Sequence, residues 1–155
     1  MGQAAELDAV IARMTAEFLS QNNAAGMLRR ALDDIGVGFG PVMDHLTIRT
    51  MNIDHRAEEF IALGYAYDET IYYDDWYAKV FRKAGYPALF VDQAYPDARG
   101  QTSIIPRWVE KFGDRVFHHV AVRVENIEQA ILKLKSKGVA FAGDIVGARG
   151  GPLRQ

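Results

Sequence analysis

Apolar residues fall at helical spacing at the start of the chain. Leu7, Val10, Ile11, Met14, Phe18 and Leu19 recur every three or four positions, which predicts a helix over 5–19. Asn22 and Asn23 break the pattern and offer a cap for a second helix over 24–35. The segment GVGFGP, 36–41, then reads as a turn. It is not a phosphate loop, because no Lys-Ser/Thr follows it and a strand comes where a helix would be needed.

Period two takes over next. DHLTIRT, 44–50, alternates as a strand, and Asn52 opens a helix that Gly64 ends. YAYDETIYY, YAKVFRKAG and ALFVDQAY are three further strand-like runs rich in Tyr, Phe and Val, separated by Asp-Asp and Gly-Tyr-Pro. TSIIPRWVEKFGD, 102–114, predicts a linker with a short helix after Pro106. VFHHVAVRV then predicts a strand, ENIEQAILKLKSKG a helix and AFAGDIVGA a weaker strand.

Two of these stretches are nearly the same word. His45 and His119 are 74 residues apart, and so are Arg49 and Arg123, Asn52 and Asn126, Ile53 and Ile127, and Gly64 and Gly138. Leu46/Val120, Ile48/Val122, Phe60/Leu134 and Tyr67/Phe141 are conservative pairs at the same offset. Each match falls at an equivalent station of strand or helix, which identifies two copies of one supersecondary unit. The expected class is therefore α+β, with two βαβββ-type units behind an N-terminal helical extension at 1–40. The paired βαβββ domain spans 41–155, with unit one at 42–96, a linker helix at 97–114 and a truncated unit two at 115–155. The copy of ALFVDQAY would fall at 162–169, past residue 155. The expectation is that unit two lacks its last strand or that the chain is a fragment. An incomplete unit leaves a sheet edge unpaired, so a homodimer or a longer chain is expected to cover it.

Composition narrows the partners. The chain has 155 residues, 49% apolar and 25% charged, and a net charge of -2. That balance offers neither a nucleic-acid patch nor an anchor for an anionic membrane. No apolar run reaches roughly 18 residues, the length of a membrane span. The acidic N-terminus has no basic region typical of a signal peptide, so a cytoplasmic location is the default expectation. There is no Cys, which excludes disulfides, thiolate metal sites and Cys nucleophiles.

Strand parity places the candidate chemistry. His45, Thr47 and Arg49 share one face, and Leu46 and Ile48 the other. In the second copy His119, Ala121 and Arg123 share a face, and His118 points away. Residues four apart on a strand are separated by about 13 Å between α-carbons, so each copy carries an imidazole at one end and a guanidinium at the other. If the copies pack as a pseudo-symmetric pair, His45 and His119 converge as two metal ligands. Two imidazoles and a carboxylate form the facial triad of non-haem iron enzymes. Arg49 suits a substrate carboxylate, because its fork binds two oxygens together. Arg123 has the weaker claim, and His55, early in a helix beside Asp54, reads as solvated. Asp92 and Gln93 are the acid and amide of the last strand of unit one, where a third ligand would come from; by parity they point to opposite faces, the sequence leaves open which faces inward, and Asp92 is a candidate carboxylate ligand.

Repeated strand–helix–strand–strand–strand units with His at matched stations resemble the vicinal oxygen chelate superfamily of glyoxalases and extradiol dioxygenases. DHLTIRT, FHHVAVRVENI and ALFVDQ sharpen the likeness to 2-oxoadipate dioxygenase/decarboxylases, over roughly 44–150. The resemblance implies a mononuclear iron(II) site of two His and one Glu that binds a 2-oxo acid, with dioxygen driving decarboxylation and hydroxylation. It assigns His45 and His119 as metal ligands and Arg49 to the substrate carboxylate. The Glu has no counterpart up to residue 155. Where that family shows Ser-Glu after Phe-Val, this chain shows Asp92-Gln93, which puts the substrate in question. Another divalent metal in place of iron remains open. So does a metal-free binding module whose cleft is lined by Tyr65, Tyr67, Tyr72, Tyr73, Trp76 and Tyr77. A glyoxalase-like isomerase would need two carboxylates.

Overall fold

The alternation of Leu46 and Ile48 with Thr47 and Arg49 builds the central strand of a five-stranded sheet. The structure, a computed structural model, describes residues 2–34, 36–149, 151, 154 and 155. Its elements in chain order are helices α1 (Gln3–Gln21) and α2 (Asn23–Asp33), strand β1 (Met43–Arg49), helix α3 (Ile53–Ala62), strands β2 (Ala66–Tyr72), β3 (Trp76–Arg82) and β4 (Ala88–Ala94), helix α4 (Ile105–Phe112), strand β5 (His119–Val122) and helix α5 (Ile127–Ser136). The fold is α+β. Among the described residues no helix is long and apolar enough to cross a membrane.

The chain divides into two compact units. One holds Met1–Gln21 and Met43–Val122, the other Asn22–Val42 and Arg123–Gln155. In the first unit the strand order is β2-β3-β4-β1-β5. β1 runs parallel to β4 and antiparallel to β5, and the β2–β3–β4 pairs are antiparallel. α3 carries the chain from β1 to the far edge, where β2 starts the meander back. On one face Leu46, Ile48, Leu89, Val91 and Phe81 meet Leu7, Ile11 and Met14 of α1 and Ile53, Ala57 and Phe60 of α3 in one apolar cluster. Burying each such side chain is worth about 1.5–3 kcal/mol, so this face fixes the register of the sheet. Gln93 completes the docking of α3: its Oε1 accepts from the N–H of Ile53 at 2.8 Å.

The repeat survives in local detail. The Asn52 side chain caps α3 by accepting from the N–H of His55, and Asn126 caps α5 by accepting from the N–H of Gln129. Gly64 and Gly138 follow the two helices at φ +95° and +87°, a conformation that a Cβ disfavours. The second unit holds α2 and α5, with a cavity of about 310 Å³ lined by Met27, Arg30, Leu134 and Lys137 among others. The strand expected over 140–148 does not form. Gly143 and Gly147 interrupt it and most of it is exposed, so the segment has no packed face to reward pairing. What remains is one reciprocal pair of backbone hydrogen bonds between Val146 and Gln155, at 2.6 and 3.0 Å.

The cap gives a direct check of the helix start. Asn52→Ala lowers unfolding free energy by about 1 kcal/mol, whereas Asn52→Gly costs only a few tenths. Urea denaturation of the two variants measures the difference; equal losses would mean that the side-chain oxygen is not the capping group.

Candidate functional site

The face of the sheet opposite the apolar cluster carries the polar residues. Register places them: His45 lies beside Ala88, Thr47 beside Phe90 and Arg49 beside Asp92 on β4, while Thr47 lies beside His119 on β5. Directly paired residues point the same way. His45, Thr47, Arg49, Phe90, Asp92 and His119 therefore share one face, and Trp76, Ala78 and Val80 of β3 continue it. α4 packs along β1 and β4 and brings Trp108 over this face.

The rings of His45 and His119 come together on this face. Their ring centroids are 5.6 Å apart at an interplanar angle of 80°. His45 stacks at 4.6 Å on Phe90 and donates from Nδ1 to Asp44 Oδ2 at 3.0 Å. A carboxylate on Nδ1 fixes the ring and turns Nε2 into the ligand nitrogen. His119 uses both nitrogens within the protein: Nε2 is 2.9 Å from Thr47 Oγ1, and Nδ1 is 2.9 Å from Nδ1 of His118. Partial burial of its ring, then repulsion from His118, His45 and Arg49, lowers the pKa of His119 to about 4, although the residue keeps an exposed edge on the outer strand. Burial and then Arg49 lower His118 to about 4 as well. Both imidazoles are thus neutral at ordinary pH, the form that ligates metals.

A ring nitrogen sits about 2.1 Å from a bound zinc or iron-like ion, which would set two ligating ring centres about 5 Å apart. The observed 5.6 Å is close to that spacing. His45 fits the role as it stands, and His119 fits it once one of its two hydrogen bonds is exchanged. Among the described residues no group of three or more His, Cys, Asp or Glu is placed to hold a metal ion. The pair fits as two donors of a three-donor site. Asp92 does not supply the third, because its register places it beside Arg49, four residues along β1 from His45.

Asp92 is the residue that parity left undecided. It turns to the polar face, and Gln93 turns to α3. It is 2% exposed, and its Oδ1 has no hydrogen-bond partner. Burial raises its pKa to about 7 against the opposing pull of Arg49. Arg49 in turn holds buried Nε and Nη1 atoms without partners, and its guanidinium lies 6.0 Å from the Trp108 ring. An acid within the apolar run ALFVDQA was the available signal for Asp92. His118 was misplaced by parity because β5 starts one residue after it; its ring packs edge-on at 5.3 Å against Trp108.

Other sequence candidates lie elsewhere. His55 is on the exposed start of α3, 3.4 Å from Glu58. The six aromatics do not share a cleft. Tyr65 is buried and donates to the carbonyl of Pro87, Tyr77 packs on the core, and Tyr67 and Tyr72 are 56% and 72% exposed. Tyr73 and Trp76 stack on each other at 3.9 Å. Arg123 follows β5 and belongs to the second unit. None of the predicted site residues lines the cavity between α2 and α5.

No protein-family model matches the chain, and no curated protein matches it in sequence. In fold it is similar to a crystal structure described as a "putative hydrolase" from Shewanella frigidimarina NCIMB 400. The TM-score is 0.73 at 17% identity, over 91% of this chain and 78% of that one.

The buried acid predicts a pH signature. Its folded pKa, about 7, lies above the model value of 3.8, so the folded state holds a proton that the unfolded state has released. Stability from Asp92 is fully present below about pH 4 and is lost as pH rises through about 7. Arg49, Asp75 and Tyr73 are the charged and titratable groups that act on this pair. Between about pH 4 and 8 the stability of wild type relative to Asp92→Asn falls, by on the order of 4 kcal/mol at most. Chemical denaturation of both proteins across that range checks it, and parallel curves would contradict a buried neutral acid.

Proposed function

We propose that this chain carries the site of a metal-dependent oxygenase of vicinal oxygen chelate type, acting in the cytoplasm on a small 2-oxo acid. The observation that supports this reading most is the meeting of His45 and His119 on one sheet face that also holds Arg49. His45 and His119 are the two imidazole donors, held by Asp44 and Thr47. A facial triad takes a carboxylate as its third donor, and among the described residues no third ligand groups with this pair. Lewis acidity toward the 2-oxo acid and redox chemistry with dioxygen are what a bound iron(II), or another redox-active divalent ion, supplies in such a place.

The protein's own residues bind and orient. Arg49 offers its unpartnered Nε–H and Nη1–H to a substrate carboxylate, a fork that fixes direction as well as position. Phe90 walls the His45 ring, and Trp108 closes over the guanidinium. The apolar walls strengthen each charged contact made between them. With the six aromatics dispersed, the metal-free aromatic cleft has less support than the histidine pair.

Anaerobic titration of iron(II) into the full chain tests the reading. His45→Ala and His119→Ala each weaken binding by roughly tenfold or more. Arg49→Ala leaves metal affinity unchanged and weakens a 2-oxo acid by about 10- to 100-fold, the worth of a hydrogen bond to a charged group. Wild type binding iron no better than the histidine variants would sink the shared-site reading. Hydrolysis, the reaction class in the structural neighbour's description, consumes no dioxygen, so an oxygen electrode separates the two activities.

A further inference from the structure

Arg49 and Asp92 are neighbours on adjacent parallel strands and face the same side. Buried Nε and Nη1 of Arg49 and Oδ1 of Asp92 have no hydrogen-bond partner. A buried acid beside a half-buried guanidinium, each with buried atoms whose hydrogen-bonding capacity is unspent, is expensive to keep, since an unmet charged group costs more than a neutral one. A ligand that supplies acceptors to one group and a donor to the other completes such an arrangement.

Charge decides which donor. Asp92 and Asp75 both act on the single guanidinium of Arg49. A plain carboxylate would pair with Arg49 but bring the acids around that one cation to three: the ligand, Asp92 and Asp75. A ligand that brings a carboxylate and an ammonium together satisfies Arg49 and Asp92 without adding net charge. The aromatic surroundings suit a cation as well. Trp76 lies on the same face, two residues from Ala78, the β3 partner of Asp92, and it stacks with Tyr73, whose hydroxyl lies within the field of Asp92.

We propose that Arg49 and Asp92 together form a recognition site for an α-amino acid group, with the carboxylate on the Arg49 fork and the ammonium on Asp92 Oδ1. The inference rests on the reading of Arg49 as the carboxylate anchor and deepens it: the substrate class is a 2-oxo acid whose far end is an amino acid. Asp92 is then the specificity-determining residue, since it separates an amino acid end from a simple dicarboxylate.

The test uses three ligands on one carbon skeleton: glutamate, 2-hydroxyglutarate and glutarate, which differ only in bearing an ammonium, a hydroxyl or hydrogen. Calorimetric titrations of the full chain are made without metal at about pH 8, where Asp92 is ionised. Glutamate binds roughly tenfold or more tightly than either analogue. Arg49→Ala removes binding of all three. Asp92→Asn, close in size, lowers glutamate to the level of glutarate and leaves glutarate unchanged or tighter. Wild type that binds glutarate or 2-hydroxyglutarate as tightly as glutamate overturns the inference, with no reliance on a variant that must fold. So does an Asp92→Asn protein that keeps the preference for glutamate. Because no metal is present, failure here leaves the iron titration of the histidine variants standing, and failure of that titration leaves this preference standing.

Discussion

The antiparallel pairing of β1 with β5 is the contact on which the site depends. It sets Thr47 opposite His119 and so brings a residue from the second copy of the repeat within reach of His45. A slip of one residue would turn His119 to the other face and replace it with His118 or Val120. The register is held from the far side of the sheet. Leu46 and Ile48 are fully buried there against α1 and α3, so β1 cannot shift without exposing its apolar half. The chemistry of one face is positioned by the packing of the other.

That arrangement makes β1 a divider. Its apolar residues fix it in the core, and its polar residues form a row from His45 through Thr47 to Arg49. Parallel pairing with β4 then sets Phe90 and Asp92 beside Thr47 and Arg49. The row has two ends of different character. At one, the His45 ring lies against Phe90 and is bonded to Asp44, with His119 beside it. At the other, Arg49 beneath Trp108 and Asp92 beside it on β4 keep unspent hydrogen-bonding atoms. One end thus offers imidazole nitrogens and the other a guanidinium and a carboxyl group. The polar residues of a core strand are costly to bury, and here they are grouped on the face where each has something to bind.

The repeat also shows where similar sequence stops giving similar structure. Asn52 and Asn126 cap their helices in the same way, and Gly64 and Gly138 end them in the same conformation, because caps and helix stops are local. β5 is shorter than β1, and no strand follows α5 among the described residues. Strands depend on partners, and 140–148 has none to pair with over its length.

The chain's own pattern of apolar and polar residues determined the helices, the four strands of the first copy, the caps at Asn52 and Asn126 and the shared face of His45 and Arg49. These follow from periods of 3.6 and 2 and from hydrogen bonds between residues three apart, which need no knowledge of distant segments. The offset of 74 residues further marked His119 as the counterpart of His45. Only the tertiary structure decided that Asp92 faces Arg49 while Gln93 faces α3, since parity fixes alternation but not its sense. Only it brought Trp108 over Arg49 and His118 against His119, because one depends on how α4 packs and the other on where β5 begins. Local rules act through the covalent chain, whereas the partners of a buried charge are chosen by which strands pair and in what register.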